Sequence, residues 1–161
     1  MANMLATLEE FIFSVPEAYA IAALAYSLSG EQFVWWKLVI PATVTGLVMG
    51  IVKALFALPI LPFLVHVLLY FAVLVMMLYL CKLADLWRVT AAVSFAIPIY
   101  LLIEFLNMGT RYLCKVDMNI YKESLSAKSY CFLPQLFAAL LLAYFFYRRK
   151  INLFVTKGKE V

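Results

Sequence analysis

The chain has 161 residues, 67% of them hydrophobic and 14% charged, with thirteen Lys and Arg against nine Asp and Glu for a net charge of +4. A soluble domain is roughly half apolar and about a quarter charged, so this composition excludes an ordinary water-soluble domain. The basic residues flank apolar runs, which excludes a nucleic-acid surface and points to membrane topology.

The pattern predicts an all-α fold, a polytopic transmembrane helical bundle forming a single membrane domain over 1–161, most simply with five spans, four or six being the alternatives. Five spans of about 20 residues use about 100 positions and leave no room for a second, soluble domain. Glu9 and Glu10 stand where a cleavable signal peptide would carry basic charge, so none is expected.

Span 1 lies within 7–29. Thr7 with Glu10 and Ser14 with Glu17 both have capping-box spacing, and Pro16 sits just inside the second. The favoured reading is one helix kinked at Pro16, with Glu17 about 15 Å along it; the alternative is a short leading helix before a span that starts at Ser14. Gly30 ends it. Span 2 covers 35–55, with Lys37 and Lys53 near its ends, where they can snorkel to the headgroups. Small residues recur at every fourth position, Ala42, Gly46, Gly50 and Ala54, a ladder that lets two helix backbones approach closely. Packing inside the bundle is the simpler use of this ladder, a homodimer face the alternative.

Span 3, 62–81, has no formal charge and one polar residue of note, His66; Pro59 and Pro62 set its start. Span 4, 87–106, carries Glu104 and a Pro98 kink. A long connection, 107–131, follows on the outside, and span 5 covers 132–147. The basic tail 148–161 is expected at the cytoplasmic surface, held by anionic lipid or touching a protein partner. With the C-terminus inside, Lys37, Lys82, Arg88, Arg148, Arg149, Lys150, Lys157 and Lys159 are cytoplasmic, eight against five outside, so the bias favours N-out, C-in. Trp35, Trp36, Trp87, Tyr144 and Tyr147 then form an aromatic belt at the cytoplasmic interface. The expected location is the cell membrane, multi-pass.

In this topology Glu17, Lys53, His66 and Glu104, from four different spans, fall at one level toward the outside. Ionisable groups are expensive in lipid and usually face a bundle interior or a wet cavity. One reading is an outward-facing ligand pocket in which Glu17 and Glu104 attract a cation or a hydrogen-bond donor and His66 adds a pH-sensitive group. The other is a set of snorkelling interfacial residues, or a structural Glu–Lys pair.

Cys114 and Cys131 bracket the long connection, where a disulfide would be allowed, though isolated cysteines are the simpler alternative. His66 and Cys81 are about 22 Å apart along one helix and cannot form a catalytic dyad. His66 with Cys114 across helices leaves a membrane-embedded thiol peptidase as the minor enzymatic alternative to a non-enzymatic protein. The sequence has no CxxC, no HExxH and no glycine-rich phosphate loop, so neither metal nor cofactor is expected.

Pro16-Glu17 in the first span, Pro62-Phe63 then His66 in the third, Glu104 late in the fourth and Leu133-Pro134-Gln135 in the last resemble the N-terminal membrane regions of sensor histidine kinases of Gram-positive bacteria. The resemblance implies a multi-helix receptor that reads an external or membrane signal and passes it inward. No phospho-accepting helix or ATP-binding domain follows before Val161, so output is expected to pass through a partner. The resulting expectation is a membrane sensor or regulatory protein for a small or peptidic ligand. The alternative is a small transporter, or the substrate-binding membrane subunit of one.

Overall fold

The computed structural model describes residues 2–31, 34–55, 63–113 and 125–154. Within them the chain forms five helices and no strand: α1 (Ala2–Leu28), α2 (Trp35–Leu55), α3 (Phe63–Leu80), α4 (Leu86–Leu113) and α5 (Leu125–Arg148). Segments of α1, α2, α4 and α5 are long and apolar enough to cross a membrane. The eighteen residues of α3 carry no charge and span about 27 Å at helical rise, slightly under a bilayer core. The chain is an α-helical, multi-pass membrane protein.

Helix α1 is the centre. It packs against all four other helices, and α2 to α5 follow one another around it in chain order. Of its spanning segment 61% is buried, against 17% for that of α5. Its alanines explain this: Ala18, Ala20, Ala22, Ala23 and Ala25 are all at most 1% exposed and face several directions, so four neighbours can approach one backbone. Larger core side chains, such as Leu38, Met49, Leu74, Val93 and Tyr100, come from the surrounding helices.

The ladder on α2 faces this centre. A Cβ added to Gly46 would lie 2.5 Å from the Cα of Val15 and 2.9 Å from the carbonyl oxygen of Ser14. At Gly50 it would lie 2.6 Å from the Phe11 ring. Ala42 is fully buried, and Ala54 lies outside the described side chains. The three described rungs are thus covered within the chain.

Helix ends have local causes. Gly30, with φ of 80°, stops α1. Two other stops use lysine in the left-handed conformation that usually selects glycine: Lys82 (φ 51°) after α3 and Lys150 (φ 52°) after α5. In each, the following residue closes a Schellman bond, Leu83 N–H to the Leu78 carbonyl at 3.2 Å and Ile151 N–H to the Phe146 carbonyl at 2.9 Å. Asp85 opens α4, its carbonyl accepting from Val89 N–H at 2.9 Å.

These turns gather at one end of an up-and-down bundle. There Arg88 Nη1 donates to Glu31 Oε1 at 2.9 Å and its guanidinium lies 5.7 Å from the Phe154 ring centre. The chain beyond α5 returns to α1, where Leu153 N–H donates to the Leu28 carbonyl at 3.0 Å.

The helices differ from the expected spans at three places. Helix α1 runs through Pro16 as one element, the favoured reading, but begins at Ala2, five residues before Thr7. Helix α4 continues seven residues past Leu106, and α5 starts seven residues before Phe132. The charges of Arg111 and Lys128 predict a loop within 107–131; both instead lie on helices, facing a polar cavity that tolerates them. Residues 114–124 are outside the described set.

Candidate functional site

At the end opposite the short turns, the five helices enclose a cavity of about 400 Å³, lined by residues from every one of them. Glu17, Lys53, His66 and Glu104, remote from each other in sequence, all line it. Up-and-down alternation sorts its walls into layers. Arg111, near the end of α4, and Lys128, near the start of α5, lie nearest the end of the bundle away from the short turns. Glu17 and Glu104 form a middle layer, and Tyr70, Tyr100 and Gln135, each one or two turns further in along its helix, form a floor with Ile21 and Ile97.

Within the middle layer Lys53 Nζ donates to Glu17 Oε2 at 3.4 Å. The two side chains retain 29% and 21% exposure, so the pair is partly wet. It joins α2 to α1 and neutralises one carboxylate of the cavity. Glu104 is exposed and within electrostatic reach of Glu17, Lys53 and Arg111. The His66 ring lies 6.3 Å from that of Tyr70, one turn along α3.

The floor is unusual for its hydroxyls. Tyr70 is 4% and Tyr100 1% exposed, yet neither hydroxyl makes a hydrogen bond within the described residues. Gln135 lies beside the Tyr100 hydroxyl without a bond of good geometry. An unsatisfied buried hydroxyl costs about 1–3 kcal/mol, so these two oxygens invite a partner in the cavity. Gln135, 6% exposed, is held by Asn107, whose Nδ2 donates to it at 3.4 Å and to the Cys131 carbonyl at 2.8 Å. On the α1–α5 side, Phe13 and Phe132 meet edge to face at 5.3 Å.

Cys131 carries a free, half-buried thiol about two turns inside α5, beside the cavity and not at the mouth of a loop. Cys114, its candidate disulfide partner, lies outside the described residues, as does Pro62. Cys81, also free, sits at the turn end after α3. Among the described residues no three His, Cys, Asp or Glu side chains cluster to hold a metal ion.

Sequence reasoning found Glu17, Lys53, His66 and Glu104 and missed Arg111, Lys128, Tyr70 and Tyr100. A signal for the tyrosines was present: Tyr70 and Tyr100 each stand four positions from His66 and Glu104, on the same helix face. The two cations carried none, because a charge near a helix end reads equally as a loop. Neither a family model, nor a curated protein, nor a solved structure matches the chain.

Proposed function

We propose that the protein is a membrane sensor or regulatory subunit that binds a small or peptidic ligand in this cavity and acts through a protein partner at the opposite end. The observation that carries this reading is the convergence of ionisable residues from all five helices on one cavity of small-molecule size. Lysine and arginine bias turns the cavity outward and the short-turn end to the cytoplasm. Helix α1 joins the two, since Glu17 in the cavity and Leu28 at the tail contact are eleven residues, about 16 Å, apart on one rigid element. A ligand that shifts α1 therefore acts on both ends, and the resemblance to sensor regions of histidine kinases fits such a relay.

The test combines partner and ligand. Cross-linking in native membranes followed by mass spectrometry is expected to capture a kinase or response-regulator system. The Glu104→Gln, His66→Ala double variant is expected to lose the ligand response while still reaching the membrane. An unchanged response in that variant overturns the reading. Four of the five helices contain an internal proline, Pro16, Pro41, Pro98 and Pro134, and run through it unbroken; proline-bearing spans also occur in transporters. That observation favours a second reading, a small transporter or its substrate-binding subunit, which capture of an ATPase or transporter scaffold would select.

A further inference from the structure

The cavity has an order of charge as well as a volume. Its end away from the short turns carries Arg111 and Lys128. Seven residues inward along α4 from Arg111 comes Glu104, and one turn further Tyr100; seven residues inward along α5 from Lys128 comes Gln135. Seven residues of helix are about 10 Å. Positive charge thus stands at one level, the Glu104 carboxylate about 10 Å deeper, and the buried hydroxyls of Tyr70 and Tyr100 about one turn below it. The second carboxylate, Glu17, is already matched by Lys53 at 3.4 Å, so Glu104 is the acid that the inner level offers.

These features select a chemistry. The inner part of the cavity presents the Glu104 carboxylate and the hydroxyls of Tyr70 and Tyr100, acceptors enough for an ammonium, which has three N–H donors and no acceptor. Tyr70 and Tyr100 are 4% and 1% exposed, so water competes poorly for their hydroxyls, while Glu104 above them is exposed. A ligand carboxylate beside Glu104 would meet like charge, although the tyrosine hydroxyls can donate; the guanidinium and ammonium of the outer level suit it, with arginine able to engage it through two parallel bonds. The walls between are apolar and aromatic, including Phe13, Phe132 and Ile97. An extended chain advances about 3.3–3.6 Å per residue, so three residues with free ends carry their charges about 10 Å apart.

We propose that the cavity binds a short zwitterionic peptide of about three residues, its free N-terminal ammonium at Glu104, Tyr70 and Tyr100 and its C-terminal carboxylate at Arg111 and Lys128. This rests on the ligand-binding reading above and narrows it to a substrate class. A single amino acid is too short to touch both levels, and a peptide blocked at either end loses one of them.

The test uses the full chain purified in phosphatidylcholine nanodiscs, titrated calorimetrically with tri-alanine, N-acetyl-tri-alanine, tri-alanine amide and alanine. Tri-alanine is expected to bind, and each capped form to bind at least about tenfold more weakly, the equivalent of one charge-assisted hydrogen bond. Glu104→Gln is expected to abolish the preference for the free amine while keeping that for the free acid; Arg111→Gln with Lys128→Gln does the reverse. Tyr70→Phe and Tyr100→Phe, which remove only the oxygens, weaken tri-alanine and leave the acetylated peptide unchanged. Equal binding of capped and free peptides, or binding of alanine as tight as tri-alanine, overturns this proposal and leaves a ligand cavity of another specificity. Binding by none of the four, with the folded protein confirmed by its unfolding transition, overturns this proposal, while the response of the Glu104→Gln, His66→Ala variant decides the ligand-binding reading.

Discussion

Lys53 and Glu17 show how one pair can serve both stability and selection. Each side chain alone would leave a charge in a mostly apolar wall, and together they join α1 to α2. Lys53→Met is expected to lower stability by about 1–2 kcal/mol, the partial exposure of both groups keeping the loss below that of a fully buried pair. Adding Glu17→Gln should recover most of it; thermal unfolding in detergent of the two single variants and the double variant measures the coupling. The glycines of α2 give a second contrast. At Gly46 a methyl group meets backbone of α1, which cannot move aside, so Gly46→Ala is expected to cost about 1–3 kcal/mol. At Gly50 it meets only the Phe11 ring, which can rotate, so Gly50→Ala should cost clearly less in the same assay. A third case runs the other way: Thr45 is fully buried and its hydroxyl has no partner among the described residues. Thr45→Val should therefore be neutral or stabilising by up to about 1 kcal/mol.

At the scale of elements, the two left-handed lysines are a correctable strain. Glycine at Lys82 or Lys150 removes the Cβ penalty of that conformation, and each substitution is expected to raise stability by about 0.5–1 kcal/mol, read as a higher unfolding temperature. The helices were largely legible because an apolar run of about 20 residues has few alternatives in lipid. The start of helix α2 at Trp35 was legible, since it follows Gly30 and the polar residues Glu31 and Gln32 in the sequence. The facing ends of α4 and α5 were not, because one sequence cannot distinguish a charge in solvent from a charge facing a wet cavity. Glu17, Lys53, His66 and Glu104 were legible as a group once the spans were aligned, since each is an isolated polar residue in apolar surroundings. Tyr70 and Tyr100 were hidden by their type: tyrosine is at home in both core and interface, so only the missing hydrogen bonds single it out. The centrality of α1 was hidden too. Its alanines read as helix formers, and small residues reveal close packing only when the neighbours are known.

For the whole molecule, residues 151–154 beyond α5 are part of the fold. Ending the chain after Lys150 removes the Leu153–Leu28 hydrogen bond and the Arg88–Phe154 stacking, and is expected to cost about 1–2 kcal/mol. Comparing unfolding temperatures of the full and shortened chains checks this. The same truncation, if α1 links the cavity to the tail, alters the response to ligand without altering any cavity residue. The position of α1 has a consequence for biogenesis. This helix precedes in the chain every helix that surrounds it, so during synthesis the core exists before its shell. It must wait in lipid with Ser14, Ser27 and Ser29, all buried in the finished bundle, not yet covered. Each later helix shields one more side of it, and α5 supplies the last. Nascent chains halted before α5 should therefore be the ones that membrane quality control recognises, with α1 still open on the flank that α5 covers.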